Sequence, residues 1–169
     1  KINEANIRPI LKDDDFYAHH VALANGIATK DKIDEIVKAR VFYKGSGNPT
    51  YFTTTAELTD MLLLKDTLGR RLYNTKQELA AALMVNEIVE VEPMTGVTRT
   101  RTDAKVMTLM GILVNLKDYN AGADKGGAVS MFEDFDIDYN QQKYLIETRM
   151  SGALVLPKSA LVFEILPVA

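Results

Sequence analysis

The chain has no cysteine and no tryptophan, and only two histidines among its 169 residues. Without cysteine there is no disulfide, no thiolate nucleophile and no cysteine-ligated zinc, and the composition is compatible with a reducing compartment. The two histidines are adjacent, at positions 19 and 20. A Ser-His-Asp arrangement or a histidine-built metal site therefore has almost nothing to draw on. Long hydrophobic runs are missing too. The longest uncharged stretch, Val106-Met-Thr-Leu-Met-Gly-Ile-Leu-Val-Asn-Leu116, falls far short of the ~20 apolar residues that a bilayer requires. It reads as a buried strand, and no membrane partner is expected. Strong charge of one sign is also absent: the formal net charge is −3. A mildly acidic balance argues against a general nucleic-acid binder, whose phosphate contacts need clustered Lys and Arg. No signal-peptide pattern opens the chain, and a start on Lys1 predicts a piece of a longer product.

What is present is ordinary for a globular protein: 47% apolar and 25% charged residues, enough for one domain or two small lobes around a shared core. Residues 1–26 show no sustained period. Residues 29–43 read as a helix, with Ile33, Ile36, Val37 and Val41 on one stripe and Asp34 and Lys38 as an i, i+4 pair. Gly45-Ser-Gly-Asn-Pro49 breaks it. Residues 51–55 form a short β-rich run. Thr54-Thr-Ala-Glu57 and Thr75-Lys-Gln-Glu78 are capping boxes that open two further helices. The second carries Leu58, Met61, Leu62 and Lys65 on one face, and the third turns Leu79, Ala82 and Leu83 inward. From there the period switches to two. Residues 88–92, 96–101 and 106–116 are strand candidates, with residues 118–127 as a bounding turn. Gly111 inside its strand predicts a bulge or a close backbone approach. Residues 143–150 alternate again, as do Leu161, Phe163 and Ile165. Helices first and strands afterwards, with few βαβ cues, make the fold class α+β.

Chemistry-bearing constellations are sparse. Asp13-Asp14-Asp15 beside His19-His20 is the one cluster that resembles a metal or acid–base site. Adjacent histidines cannot share a face of a strand, and metal sites need three or four converging ligands. Gly122-Ala-Asp-Lys-Gly-Gly127 lacks the spacing and context of a phosphate loop and reads as a surface turn. Arg70-Arg71 and Arg99-Thr-Arg101 are the basic clusters. Arg99 and Arg101 project from one strand face, towards phosphate, a neighbouring acidic surface or solvent. Glu87, Glu90 and Glu92 lie on a short strand with no sign of the cleft that would separate their pKa values. The inventory predicts a non-enzyme with no cofactor and no metal. The rival from another class is a small metal-dependent hydrolase using the cluster from Asp13 to His20.

Two blocks resemble the tailed-phage major capsid family, the Hong-Kong-97-type shell fold. The first spans residues 47–73. It is similar to the family's small-Pro-Thr-aromatic strand, a helix, and a Lys-Asp-x-x-Gly-Arg-x-aromatic turn (Lys65-Asp-Thr-Leu-Gly-Arg-Arg-Leu-Tyr73). The second runs from Met110-Gly-Ile-Leu-Val-Asn115 to the end, through Phe132-Glu-Asp-Phe135, the Arg149 strand and Pro157-Lys-Ser-Ala160. Together they cover roughly two-thirds of the chain, in the family's order. Ile112 stands where the family has Pro, and residues 74–105 carry no motif of the family.

The resemblance implies the carboxy-terminal part of a capsid subunit. Residues 28–128 would form its axial lobe, and residues 1–27 and 129–169 part of its peripheral lobe. It further implies self-assembly into an icosahedral head around DNA, held non-specifically, in a virion built in the bacterial host cytoplasm. The partners would be other copies of the chain, with scaffold or protease proteins during assembly. Arg70, Arg71, Arg99, Arg101, Lys117, Asp118 and Lys125 become inter-subunit contact residues, and Asn140 the acceptor in a Lys–Asn cross-link whose Lys lies elsewhere. An encapsulin-type bacterial compartment shell is the rival with the same fold.

Overall fold

The computed structural model describes residues 7–123, 130–147 and 149–167. Three helices and ten strands follow one another as β1 (Ala18–Leu23), α1 (Thr29–Ala39), β2 (Thr50–Thr53), α2 (Thr55–Leu62), α3 (Lys76–Ala82), β3 (Ile88–Glu90), β4 (Thr98–Thr100), β5 (Val106–Val114), β6 (Tyr119–Ala123), β7 (Ser130–Asp136), β8 (Gln141–Glu147), β9 (Met150–Leu154) and β10 (Ala160–Ile165). Six strands make the main sheet, in the order β1-β10-β5-β2-β3, with β4 also paired to β5. The pairs β1–β10 and β2–β3 are parallel, and β5 runs antiparallel to β10, β2 and β4. The sheet thus takes β1 and β10 from the two ends of the chain and joins them to its middle.

Alternation along the strands divides the core. Leu161 and Phe163 of β10, Tyr51 of β2 and Leu113 of β5 face the helices, where Ile33, Ile36, Leu58, Met61, Leu79 and Leu83 meet them. Ala160, Val162, Leu109 and Val114 face the other way, against Leu11, Ala18 and Leu154. Each large side chain buried to this degree contributes about 1.5–3 kcal/mol. The helix starts follow the capping pattern. The Glu57 N–H donates to Thr54 Oγ1 at 3.4 Å, and the Glu78 N–H to Thr75 Oγ1 at 3.2 Å. Lys32 and Glu57 tie α1 to α2 at 2.8 Å.

Gly111 answers to both expectations for it. The register between β10 and β5 slips here: Phe163 faces Gly111 while Glu164 faces Leu109, leaving Met110 as the extra residue of a bulge. The Thr53 hydroxyl donates to the Met110 carbonyl at 3.0 Å, satisfying a group the bulge takes out of the ladder. A Cβ at Gly111 would lie 2.7 Å from the Tyr51 ring. That ring is fully buried and meets Phe163 edge-on, centroids 6.2 Å apart.

Several local expectations are corrected. Lys38 pairs with Glu35 at 2.7 Å rather than with Asp34. Val41 is 74% exposed, because α1 tightens into a 3-10 turn over Arg40–Phe42 and the change of period swings the side chain off the stripe. Ala80, not Ala82, is the buried alanine of α3. Residues 18–23 form a strand although no period marks them, since β1 carries His19, His20 and a partly exposed face. Where a bounding turn was expected, a 3-10 turn (Leu116–Asp118) leads into β6, which pairs with β9. The rest of the Gly122–Gly127 stretch lies outside the described residues. The strand expected over residues 143–150 divides into β8 and β9.

The close approach at Gly111 sets a test. Gly111→Ala should lower the unfolding free energy by about 1–3 kcal/mol, the usual cost of overpacking a filled core, as measured by urea denaturation. A change near zero would mean that the ring has room to move.

Candidate assembly surfaces

The expected contact residues fall into two groups once they are placed in the fold. Arg99, on β4, is drawn inward. Its Nε and Nη2 both donate to Glu164 on β10, each at 2.6 Å, in a bidentate pair. The Glu164 side chain is 1% exposed. His20, on β1, reaches the same carboxylate, with Nδ1 at 3.5 Å from Glu164 Oε2, while its Nε2 lies 3.2 Å from the Asp13 carbonyl oxygen. Three strands are thereby held to one buried charge. The acidic surface that Arg99 was expected to find is inside its own chain. Arg101 joins His20, Arg99 and Glu164 in lining a polar cavity of about 510 Å³, and its Nε lies 3.8 Å from Asp103.

Asp118 is also internal. It is buried, and its Oδ2 accepts the Ser46 N–H at 2.7 Å. Nearby, Asn115 Nδ2 donates to the Ser46 carbonyl at 2.6 Å, so Asp118 and Asn115 pin the Gly45–Pro49 break to the end of β5. Burial, with the Asp118 charge adding to it, pushes the Tyr43 phenol up to about 12. Lys117, by contrast, is exposed. Arg70 and Arg71 sit on a tight exposed loop between α2 and α3, with Arg70 bonded to Asp66. Asn140 occupies the turn between β7 and β8, exposed, with φ +52°. Lys125 lies outside the described residues.

The cluster from Asp13 to His20 is a set of internal hydrogen bonds. His19 Nδ1 lies 2.8 Å from Asp15 Oδ1, the His20 N–H donates to the same oxygen at 3.2 Å, and Asp13 is buried beside Arg8. Among the described residues no three ligand side chains converge as a metal site.

Sequence reasoning missed Glu164, a carboxylate buried in the sheet. The available signal was a lone carboxylate inside the apolar run Ala160–Ile165, in a strand buried on both faces. Buried carboxylates require a partner, and Arg99 was already singled out.

Burial pushes the Glu164 carboxyl up, but the hydrogen bonds from Arg99 and then the contact with His20 outweigh it, so it is held below its ordinary range. A depressed carboxyl stabilises the fold above the ordinary range, ~4.3 for a free Glu. That stabilisation is lost as pH falls through the folded value. Thermal melts should therefore show Glu164→Gln with a shallower loss of Tm on acidification below about pH 4.5 than the unaltered chain. Arg99→Ala should cost on the order of 3 kcal/mol, whereas Arg99→Met with Glu164→Leu should cost far less. Equal losses for both would contradict a paired buried charge.

Among the described residues the arrangement is one of internal polar ties and exposed outer charges. No protein-family model and no curated protein matches the sequence. Solved structures do match. The chain is similar to the capsid of an empty GTA (gene transfer agent) particle, at 15% identity and a TM-score of 0.53, over 86% of this chain and 50% of that one. It is likewise similar to the capsid of a native GTA particle, at 14% identity and a TM-score of 0.56, over 86% of this chain and 49% of that one. The chain thus spans about half the length of the solved chains it matches. At such identities the likeness is one of fold, and the fold is that of a phage-type capsid subunit.

Proposed function

We propose that the chain is the carboxy-terminal half of a subunit that assembles, through copies of itself, into a phage-type icosahedral shell around DNA. The observation that carries this reading is the fold likeness to two GTA capsids over 86% of the chain. In this reading the fold is of the Hong-Kong-97 type. Residues 28–128 form the axial lobe, residues 1–27 and 129–169 belong to the peripheral lobe, and β1 and β10 are the strands that tie the two into one sheet.

Such a protein works through surfaces. A closed shell of identical subunits needs contacts in which one face meets a different face of the neighbour. Lys117 and the Arg70–Arg71 loop present charge outward and set the fit, while exposed apolar side chains supply area. The net charge of −3 keeps an inner surface from gripping the duplex tightly, which suits non-specific containment. Scaffold or protease proteins act during assembly in the host cytoplasm, and the finished subunit resides in the virion. No catalytic step is assigned to it. In this reading Asn140, which is exposed at a hairpin turn, accepts a cross-link from a Lys of another segment. Denaturant-resistant ladders from particles, abolished by Asn140→Ala, are the outcome this role requires.

Sedimentation velocity tests the reading. The chain, expressed with any coding sequence that precedes Lys1 and with the neighbouring genes, should yield a sharp boundary of large particles. Those particles should loosen as salt rises and screens the outer charges. A single slow species of subunit size under every condition would end the shell reading.

A further inference from the structure

The β7–β8 hairpin is the least self-sufficient part of the molecule. Its two strands pair only with each other among the described residues, and a lone two-stranded sheet is marginal in water. Register places Met131 opposite Ile146 and Glu133 opposite Tyr144, with Phe135 next along the same face. Met131, Phe135, Tyr144 and Ile146 are each half or more exposed. Contiguous apolar exposure of this kind marks a surface that something covers. The hairpin is also acidic. Residues 130–147 hold Glu133, Asp134, Asp136, Asp138 and Glu147 against the single Lys143, a net charge of −4.

The loop between α2 and α3 has the opposite character. It is a rigid turn: Asp66 Oδ1 accepts the N–H groups of Leu68 and Arg70, at 2.8 and 2.9 Å, and Gly69 takes φ +81°. Those bonds, the Arg70 N–H first, hold the Asp66 carboxyl below its ordinary range. At the tip, Leu68 is 76% exposed. Lys65 and Arg71 bridge directly across the turn, and like charges opposite one another destabilise a pair. An acid from outside would remove that cost. Residues 64–72 carry Lys65, Arg70 and Arg71 against Asp66, a net charge of +2.

We propose that the two surfaces meet between copies: the loop of residues 64–72 on one subunit docks against the apolar face of the acidic β7–β8 hairpin on the next, the face that carries Glu133. The inference rests on the shell reading and names one contact within it. Because the two patches differ, the contact is head-to-tail, the kind that propagates around a ring or closes a shell. Leu68 and Leu72 cover hairpin side chains, while Lys65 and Arg71 face Glu133 and Asp138. Charge complementarity of this sort mainly selects partner and register.

A charge exchange tests it, read by sedimentation of the full chain under assembling conditions. Lys65→Glu with Arg71→Glu, and separately Glu133→Lys with Asp138→Lys, should each weaken association roughly tenfold or more. Combining all four should restore it to within a few-fold, and mixing the two defective variants should give mixed assemblies. If the unaltered chain assembles and the exchanges leave association unchanged, this contact is wrong and the shell reading stands. If the combined variant stays as defective as its parents, the contact is equally overturned. If Met131→Asp with Ile146→Asp lowers the Tm of the isolated subunit and leaves association intact, the face is covered within one chain and the inference falls. If the unaltered chain never associates, the shell reading fails and takes this contact with it.

Discussion

Strand β5 is shared by more partners than any other element, and its one glycine sets the terms. Along one edge it pairs with β10, and along the other with β2 and β4 in succession. At Gly111 the absent side chain admits the Tyr51 ring and the backbone bulges, with the Thr53 hydroxyl donating to the released Met110 carbonyl. The helices then pack on the face that Tyr51, Leu113 and Phe163 present. Moving that ring would displace the contact between β2 and the helical layer, and with it the surface on which α1, α2 and α3 rest. On the opposite face, β10 places Glu164 where β4 and β1 can each supply a nitrogen. The paired strands β5 and β10 together therefore carry the apolar and the polar organisation of the fold.

The chain separates inside from outside. Two of its buried charges are met internally: Glu164 by Arg99 and His20, and Lys32 by Glu57. Its outer surfaces are not. The hairpin shows an apolar face to solvent, the Arg70–Arg71 loop shows a leucine between cations, and Ile137 at the hairpin turn is 83% exposed. In the polar cavity beside Glu164, Arg99 and His20 both face the carboxylate.

How much of this was legible in the sequence depends on what each residue had to do. The capping threonines at 54 and 75 were readable because a helix start needs a local acceptor three residues back, and both bonds are there. Gly111 was readable because a strong strand gives up a side chain mainly where the backbone bulges or another group must come close. The resemblance to capsid subunits rested on motifs in order, and the fold agrees with it. What escaped was long-range. Nothing near Glu164 in sequence announces Arg99, 65 positions away, and Asp118 looked like a surface charge because Ser46 lies 72 positions from it. β1 escaped because its histidines interrupt the alternation that marks a half-buried strand.

The most direct measurement is a cryo-electron-microscopy reconstruction of the particles formed when the chain is expressed with its neighbouring genes. The account predicts a closed shell whose every subunit contains the six-stranded sheet with β5 between β10 and β2, and whose β7–β8 hairpin is covered by protein. Particles whose walls lack that sheet, or a preparation holding no shell at all, would contradict it.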